Sequence, residues 1–302
     1  MSVVVKKAAR PGSPATDILV DLAVRALVEE VRLTPKPGLV DLRGPGAHDD
    51  LSLGLMLRSA ESLRTTFADM ARACEGARVD RGLREVLGAI GREGEAEMLA
   101  ATGGANAHRG AIWTLGLLVA GAVLSVGESE GDRIAASAAR IARLPDDYGV
   151  PRGTNGARVR SVHGVAGATG EARAGFPHVV GIALPAMRAG RKSGRDEDTV
   201  RIDALLGIMA VLDDTCLLHR GGLRGLRLAQ RGSARVLEAG GVSVPEGRRA
   251  LASLEKEMLE EWLSPGGAAD LLSAAMFLDS LEQRERDGES SECRKGGRAW
   301  RA

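Results

Sequence analysis

The chain has 302 residues, 44% of them hydrophobic, with 41 Lys and Arg against 40 Asp and Glu for a formal net charge of +1. That length supports one large core or two small ones, and the balanced charge argues against a general nucleic-acid binder, which is usually clearly basic. Cys74, Cys216 and Cys293 share no CxxC or metal-ligand spacing, which fits a reducing cytoplasm better than a disulfide framework.

Residues 1–14 contain too short an apolar run for a signal peptide and read as a loose leader, in which Val3–Val5 is the only strand-like piece. Ser13-Pro14 supplies an N-cap and a first turn, after which Leu19, Leu22, Leu27 and Val31 fall on one helical face. Met56, Ala60, Leu63, Phe67, Met70 and Cys74 recur every three or four residues, and Leu83, Val86, Leu87 and Ile90 stripe the next helix. The uncharged run Gly110–Gly127 is barely long enough to span a membrane and has no companion, so it reads as the buried central helix of a bundle. Its Gly116, Gly121 and Ser125 would let neighbouring helices approach closely.

A helix near 131–143 and a Pro/Gly-rich connection at 145–156 lead to the second half. There 196-DEDTVRIDALLGIMAVL-212 opens with acids that suit a helix N-terminus, Ser243 with Glu246 reads as a capping box, and Ser264-Pro265 starts a last helix. The apolar face of that helix is Leu271, Leu272, Ala275, Leu278 and Leu281. With no alternating pattern for a sheet and no repeat, residues 15–282 are expected to form one all-α domain, followed by a charged, disordered tail at 283–302.

Five small-residue loops interrupt the helices: 34-TPKPGLVDLRGPGAHDDL-51, 102-TGGANAHRGAIW-113, 163-HGVAGATGEARAGFPHV-179, 213-DDTCLLHRGG-222 and 264-SPGGAADLL-272. Together they hold all five histidines with several acids and arginines. Helix N-termini offer free N–H groups and partial positive charge, glycine admits a close phosphate, and Arg matches phosphate oxygens geometrically. Acids among them make sense if Mg²⁺ bridges carboxylate to phosphate. Each residue also has a plain structural reading. Asp49 or Asp50 can cap the following helix, His178 beside Pro177 can be structural, Glu171 can pair with Arg173, and Asp213-Asp214 can close a helix against its dipole. Neither a P-loop nor a strand-linked G-x-G-x-x-G is present.

The ordered blocks TPKPGLVD…GAHDD, ATGGANAHRGAIWTLGLL, GATGEARAGFP, DDTCLLHRGG and LSPGGAADLL, spanning roughly Leu27 to Leu281, resemble the triphosphoribosyl-dephospho-CoA synthases of the citrate lyase and malonate decarboxylase systems. The resemblance implies an all-helical cytoplasmic enzyme. It would move the triphosphoribosyl part of ATP onto the ribose 2′-hydroxyl of 3′-dephospho-CoA, release adenine and use Mg²⁺. The product is the precursor of the prosthetic group that a separate transferase attaches to an acyl carrier protein.

By the same resemblance Lys36, Asp41, Asn106, His108, Arg109, Arg173 and Arg220 are expected to bind substrate, with Lys36, His108 and Arg109 on the triphosphate. Asp50 and Asp214 are the expected Mg²⁺ ligands, Glu171 the base and His48 the acid toward adenine, with Asp50 near that chemistry. Ala107, Ala166, Thr169 and Cys216 depart from the family pattern, and the forms DDTCLLHRGG and HRGAIW are closer to the malonate decarboxylase branch. Two other classes share these residue types: a Mg²⁺-dependent nucleotide N-glycosidic hydrolase and a non-catalytic nucleotide-binding homologue.

Overall fold

The computed structural model describes residues 13–125, 130–149 and 154–296; the expected leader through position 12, with Val3–Val5, lies outside them. The helices in chain order are α1 (Pro14–Arg32), α2 (Leu53–Ser62), α3 (Arg64–Cys74), α4 (Arg81–Thr102), α5 (Arg109–Leu124), α6 (Gly131–Arg143), α7 (Asn155–His163), α8 (Gly167–Ala174), α9 (Leu184–Lys192), α10 (Glu197–Met209), α11 (Thr215–Glu238), α12 (Pro245–Glu260) and α13 (Gly266–Gly296), with a π-helical turn at Val179–Ala183 before α9. The described residues contain no strand beyond one bridge between Asp41 and Gly44. The protein is all-α, with one continuous core.

Local chemistry sets the helix starts. Ser13 accepts a hydrogen bond from Thr16 N with Pro14 opening the first turn, Asp80 accepts from Leu83 N, and Asp196 accepts from Thr199 N ahead of Glu197 and Asp198. Helix α5 occupies the centre, packed against α3, α6 and α13. Ala111, Ile112, Leu115, Leu118, Val119 and Ala120 are all buried, as a helix that is apolar all round requires. Each leucine so enclosed contributes about 1.5–3 kcal/mol relative to exposure. A side chain at Gly121 would meet Ile134 O of α6, and Ser125 Oγ lies 2.8 Å from Ser137 Oγ, so the small residues do admit the neighbouring helix. Among the described residues, no helix is long and apolar enough to cross a membrane.

Several local expectations are corrected. The Met56–Cys74 stripe is two helices, broken at Leu63, although Ala60, Leu63, Phe67, Met70 and Cys74 share one buried face. Val86 is half-exposed, one position off the buried face defined by Leu83 and Leu87. The helix after the first loop is capped by Ser52, not by Asp49 or Asp50. Ser243 and Glu246 form no capping box, because Pro245 opens α12 and disfavours helical backbone at Val244, which leaves Ser243 one residue too early. Asp214 does not close a helix; it begins α11, where its charge agrees with the dipole. Helix α13 continues through Gly296, past position 283 where the helical domain was expected to end.

The 34–51 loop is pinned to the start of the last helix through Gly38. Its φ is +72°, and a methyl group there would collide with the carbonyl oxygen of Leu263. Gly38→Ala is therefore expected to destabilise the fold by more than about 1 kcal/mol, read as a lower urea midpoint at unchanged slope.

Candidate active site

A cavity of about 640 Å³ is walled by the 34–51 loop and by residues of α4, α5, α8, α11 and α13, within the usual size range of small-molecule sites. All five glycine-rich loops contribute to its wall. Of the residues expected to bind or react, Lys36, His48, Asp50, Asn106, His108, Arg109, Glu171, Asp214 and Arg220 line it. Asp41 and Arg173 do not. Asp41 is buried within its own loop, accepting from the backbone of Lys36 and Arg43 and from the Arg43 guanidinium. Burial pushes its carboxyl up, but those hydrogen bonds outweigh burial and hold it below the usual range. Arg173 Nε donates to Ala142 O, tying α8 to α6; the expected Glu171–Arg173 pair is replaced by Glu171–His178.

The floor is formed by the first loop and the start of α5. Lys36 is 1% exposed, and its ammonium donates to both the backbone and the carboxylate of Glu30, each at 2.5 Å. His108 precedes α5 and is 3% exposed, with Nδ1 2.7 Å from Ser59 Oγ and Nε2 without a partner. Burial, helped by the nearby Lys36 charge, lowers its pKa to about 4, so the ring is neutral near pH 7. Arg109 is ion-paired with Glu95, and Asn106 Oδ1 accepts from Arg109 N.

At the opposite wall, Asp214 serves two helices at once. Its Oδ1 accepts from Cys216 N at 2.7 Å in α11, and its Oδ2 accepts from Ala268 N at 2.9 Å in the first turn of α13. Burial raises its carboxyl, while the N–H groups of Ala268, Cys216, Leu217 and Gly267 oppose the rise. His48 is held on both nitrogens: Arg220 Nη2 donates to Nδ1 at 3.0 Å, which leaves the Nε2 proton for Ser264 Oγ at 2.8 Å. Burial and the Arg220 charge lower its pKa, and Asp50 lies 3.5 Å away at the exposed rim. Arg220 also donates to Ala47 O and Trp262 O, locking this wall to the first loop.

Glu171 projects from α8. Gly175 at φ +88° and Phe176 at φ +57° turn the chain back, so that His178 N donates to Glu171 Oε1 at 2.9 Å and His178 Nδ1 meets Oε2 at 2.7 Å. The hydrogen bond to Glu171 raises the His178 pKa. His178 is thus structural in the specific sense of fixing the candidate base.

The cavity contains functional candidates not singled out in the sequence. Asp270, in the quoted SPGGAADLL block, sits against Gly110, where a side chain would collide with its carboxylate. Burial, then the charges of Glu30 and Asp214, push its carboxyl well up. Arg84, Gly88, Arg92 and Glu95 line the wall from one face of α4. Their spacing of three and four residues was the available signal. Among the described residues no group of three or more His, Cys, Asp or Glu side chains is placed to hold a metal.

The neutral, enclosed His108 makes a checkable contribution to acid sensitivity. The unfolded ring, near its ordinary 6.5, binds a proton before the folded ring near 4. Stability contributed by the neutral ring is therefore intact above about pH 6.5 and lost as pH falls toward 4, by about 3 kcal/mol. Urea titrations of wild type and His108→Gln from pH 7 to 4 should show a steeper acid decline in the wild type; parallel declines would contradict the assignment.

The family model for ATP:dephospho-CoA triphosphoribosyl transferase matches residues 16–289. A protein of Stutzerimonas stutzeri (strain A1501) named as a probable 2-(5''-triphosphoribosyl)-3'-dephosphocoenzyme-A synthase is 56% identical over 276 residues, covering 90% of this chain and 94% of the relative. The Klebsiella pneumoniae protein named 2-(5''-triphosphoribosyl)-3'-dephosphocoenzyme-A synthase is 49% identical over 263 residues, covering 87% and 94% respectively. No solved structure matches the chain. The chain belongs to the ATP:dephospho-CoA triphosphoribosyl transferase family.

Proposed function

We propose that this chain transfers the 5-triphosphoribosyl group of ATP to the ribose 2′-hydroxyl of 3′-dephospho-CoA and releases adenine. The observation that carries the reading is the shared wall. Glu171, fixed by His178, lines the same cavity as Lys36, Arg109 and the unpartnered Nε2 of His108. A carboxylate, cations and a buried free imidazole nitrogen are what glycosyl transfer from a triphosphate-bearing nucleotide calls for.

In this reading the bond from ribose C1′ to adenine N9 breaks through a cation-like centre while a bond from C1′ to the acceptor O2′ forms. Glu171 takes the proton of the 2′-hydroxyl. The electron pair leaves with adenine, which a proton donor must neutralise. His48 was expected in that role, but its Nε2 proton is directed to Ser264 and its Nδ1 accepts from Arg220. His108 Nε2 has no bond to give up, but its ring is neutral near pH 7, so we assign it a hydrogen bond to the departing adenine, which takes its proton from water, and a positioning role to His48. Lys36 and Arg109 hold the triphosphate by exchanging Glu30 and Glu95 for phosphate oxygens. Asn106 and Arg220 complete the substrate wall, whereas Asp41 and Arg173 act by shaping it.

A Mg²⁺ ion fits this wall only as a companion of the nucleotide. The ion usually takes one or two carboxylates and keeps water and phosphate for the rest. Both Asp214 oxygens already accept backbone N–H groups, and Asp50 is more than half exposed, whereas Asp270 is only partly exposed and lines the cavity. Asp270 would hold the ion, with Asp214 and Asp50 as outer partners. When bound it would neutralise the triphosphate.

The forms DDTCLLHRGG and HRGAIW favour the malonate decarboxylase acyl carrier protein as the destination of the product, and the composition favours the cytoplasm. Mass spectrometry of the protein with ATP, 3′-dephospho-CoA and Mg²⁺, each omitted in turn, tests the reaction. Adenine with a triphosphoribosyl adduct of dephospho-CoA is expected; adenine without the adduct indicates a hydrolase, and no product indicates a binding protein. Glu171→Gln, folded as the wild type by circular dichroism, should lose at least about 100-fold in kcat, and undiminished turnover would refute the base assignment.

A further inference from the structure

Away from the motif blocks, the cavity has a second basic lobe built on α4. Arg84 is 8% exposed, its guanidinium carbon lies 4.9 Å from the centre of the Trp113 ring, and its Nε has no partner. Its Nη1 donates to Asp146 Oδ2 at 3.0 Å, and Arg92 Nη1 reaches the same oxygen at 3.2 Å. Gly88 makes this possible, since a side chain there would collide with Asp146 and Arg84. Arg160, facing the same cavity, donates to Thr169 Oγ1 at 3.4 Å. Two guanidinium groups thus share one carboxylate, and the third, Arg160, has a hydroxyl as partner. Burial works against the Arg84 charge, Asp146 offsets it, and Arg92 and Arg173 add repulsion. A buried donor left unpaired is costly unless a ligand completes it.

The lobe adjoins Glu171. Trp113 Nε1 donates to Ala168 O, and Thr169 receives the Arg160 bond, so the segment that presents the lobe also presents the candidate base two residues later. In 3′-dephospho-CoA the diphosphate is carried on the 5′ position of the same ribose whose 2′-hydroxyl must reach that base. The triphosphate, by contrast, belongs with Lys36 and Arg109 on the first loop and the start of α5.

We propose that Arg84, with Trp113 behind it, Arg92 and Arg160 form a diphosphate subsite that holds the acceptor, so that ATP and dephospho-CoA occupy separate basic lobes of one cavity. The proposal rests on the transferase reading above. Guanidinium pairs suit it because a diphosphate offers paired oxygens to a planar fork.

Calorimetric titration of wild type and Arg84→Met with 3′-dephospho-CoA alone and with ATP alone tests it. The variant is expected to weaken dephospho-CoA binding at least 10-fold and ATP binding less than 2-fold, with KM for dephospho-CoA rising in step. Arg92→Gln, at a partly exposed position, should weaken dephospho-CoA binding 3-fold or more in the same selective manner, and it decides the matter if Arg84→Met does not fold. Equal losses for both ligands, a larger loss for ATP, or no loss for either would overturn the subsite. A wild-type protein that binds neither ligand would overturn the transferase reading itself, and the subsite with it.

Discussion

The site depends on one carboxylate. Asp214 accepts backbone N–H groups from the first turns of α11 and α13, two helices whose starts are separated by more than fifty residues. It satisfies orphan donors of both helices and places one negative charge where two dipoles converge. The joint requires bare backbone on the α13 side, because a side chain at Gly267 would press on the Asp214 carboxylate. From this joint follow the location of Asp270 on α13, of Arg220 on α11, and of Ser264 beneath His48. Leu263, packed against Gly38, Gly221 and Gly225, carries the same constraint into the first loop.

The electrostatics of the cavity are those of a site already neutralised from within. Lys36 is paired with Glu30, Arg109 with Glu95, and Arg84 and Arg92 with Asp146. The buried pairs among them, Lys36–Glu30 and Arg84–Asp146, contribute little net stability, since desolvation consumes most of the attraction. Their value here is to keep the cations in place without leaving them uncompensated. A phosphate chain would then replace carboxylate partners one for one, and a ligand with too few phosphate oxygens would leave buried charges unmatched. In this account the internal ion pairs are a source of selectivity for polyphosphate-bearing substrates.

The helices were legible because their signals are local: an N-cap at Ser13, acids at the start of α10, an apolar stripe along α1 and the uncharged run of α5. The break at Leu63 was not, since the buried face runs straight through it and no Gly or Pro marks it. The loops were legible as a set through glycine content and through the resemblance, and nine of the eleven residues expected at the site do line the cavity. Asp41 and Arg173 misled because charged residues within a motif can serve the loop instead of the ligand. His178 looked merely structural beside Pro177, and only the turn at Gly175 and Phe176 shows that it grips Glu171. Arg84, Arg92 and Asp146 lie outside the loops, on a helix face or in a connection, where an arginine on a helix normally reads as solvated. Their significance comes from tertiary packing, which no local pattern encodes.

One cavity, walled by five helix-end loops, is proposed to hold both substrates of a triphosphoribosyl transfer. A crystal structure of the inactive Glu171→Gln protein with ATP, Mg²⁺ and 3′-dephospho-CoA tests it most directly. The triphosphate is expected against Lys36 and Arg109, and the acceptor ribose within hydrogen-bond reach of residue 171. Nucleotide bound outside this cavity, or an acceptor whose 2′-hydroxyl faces away from residue 171, would contradict it.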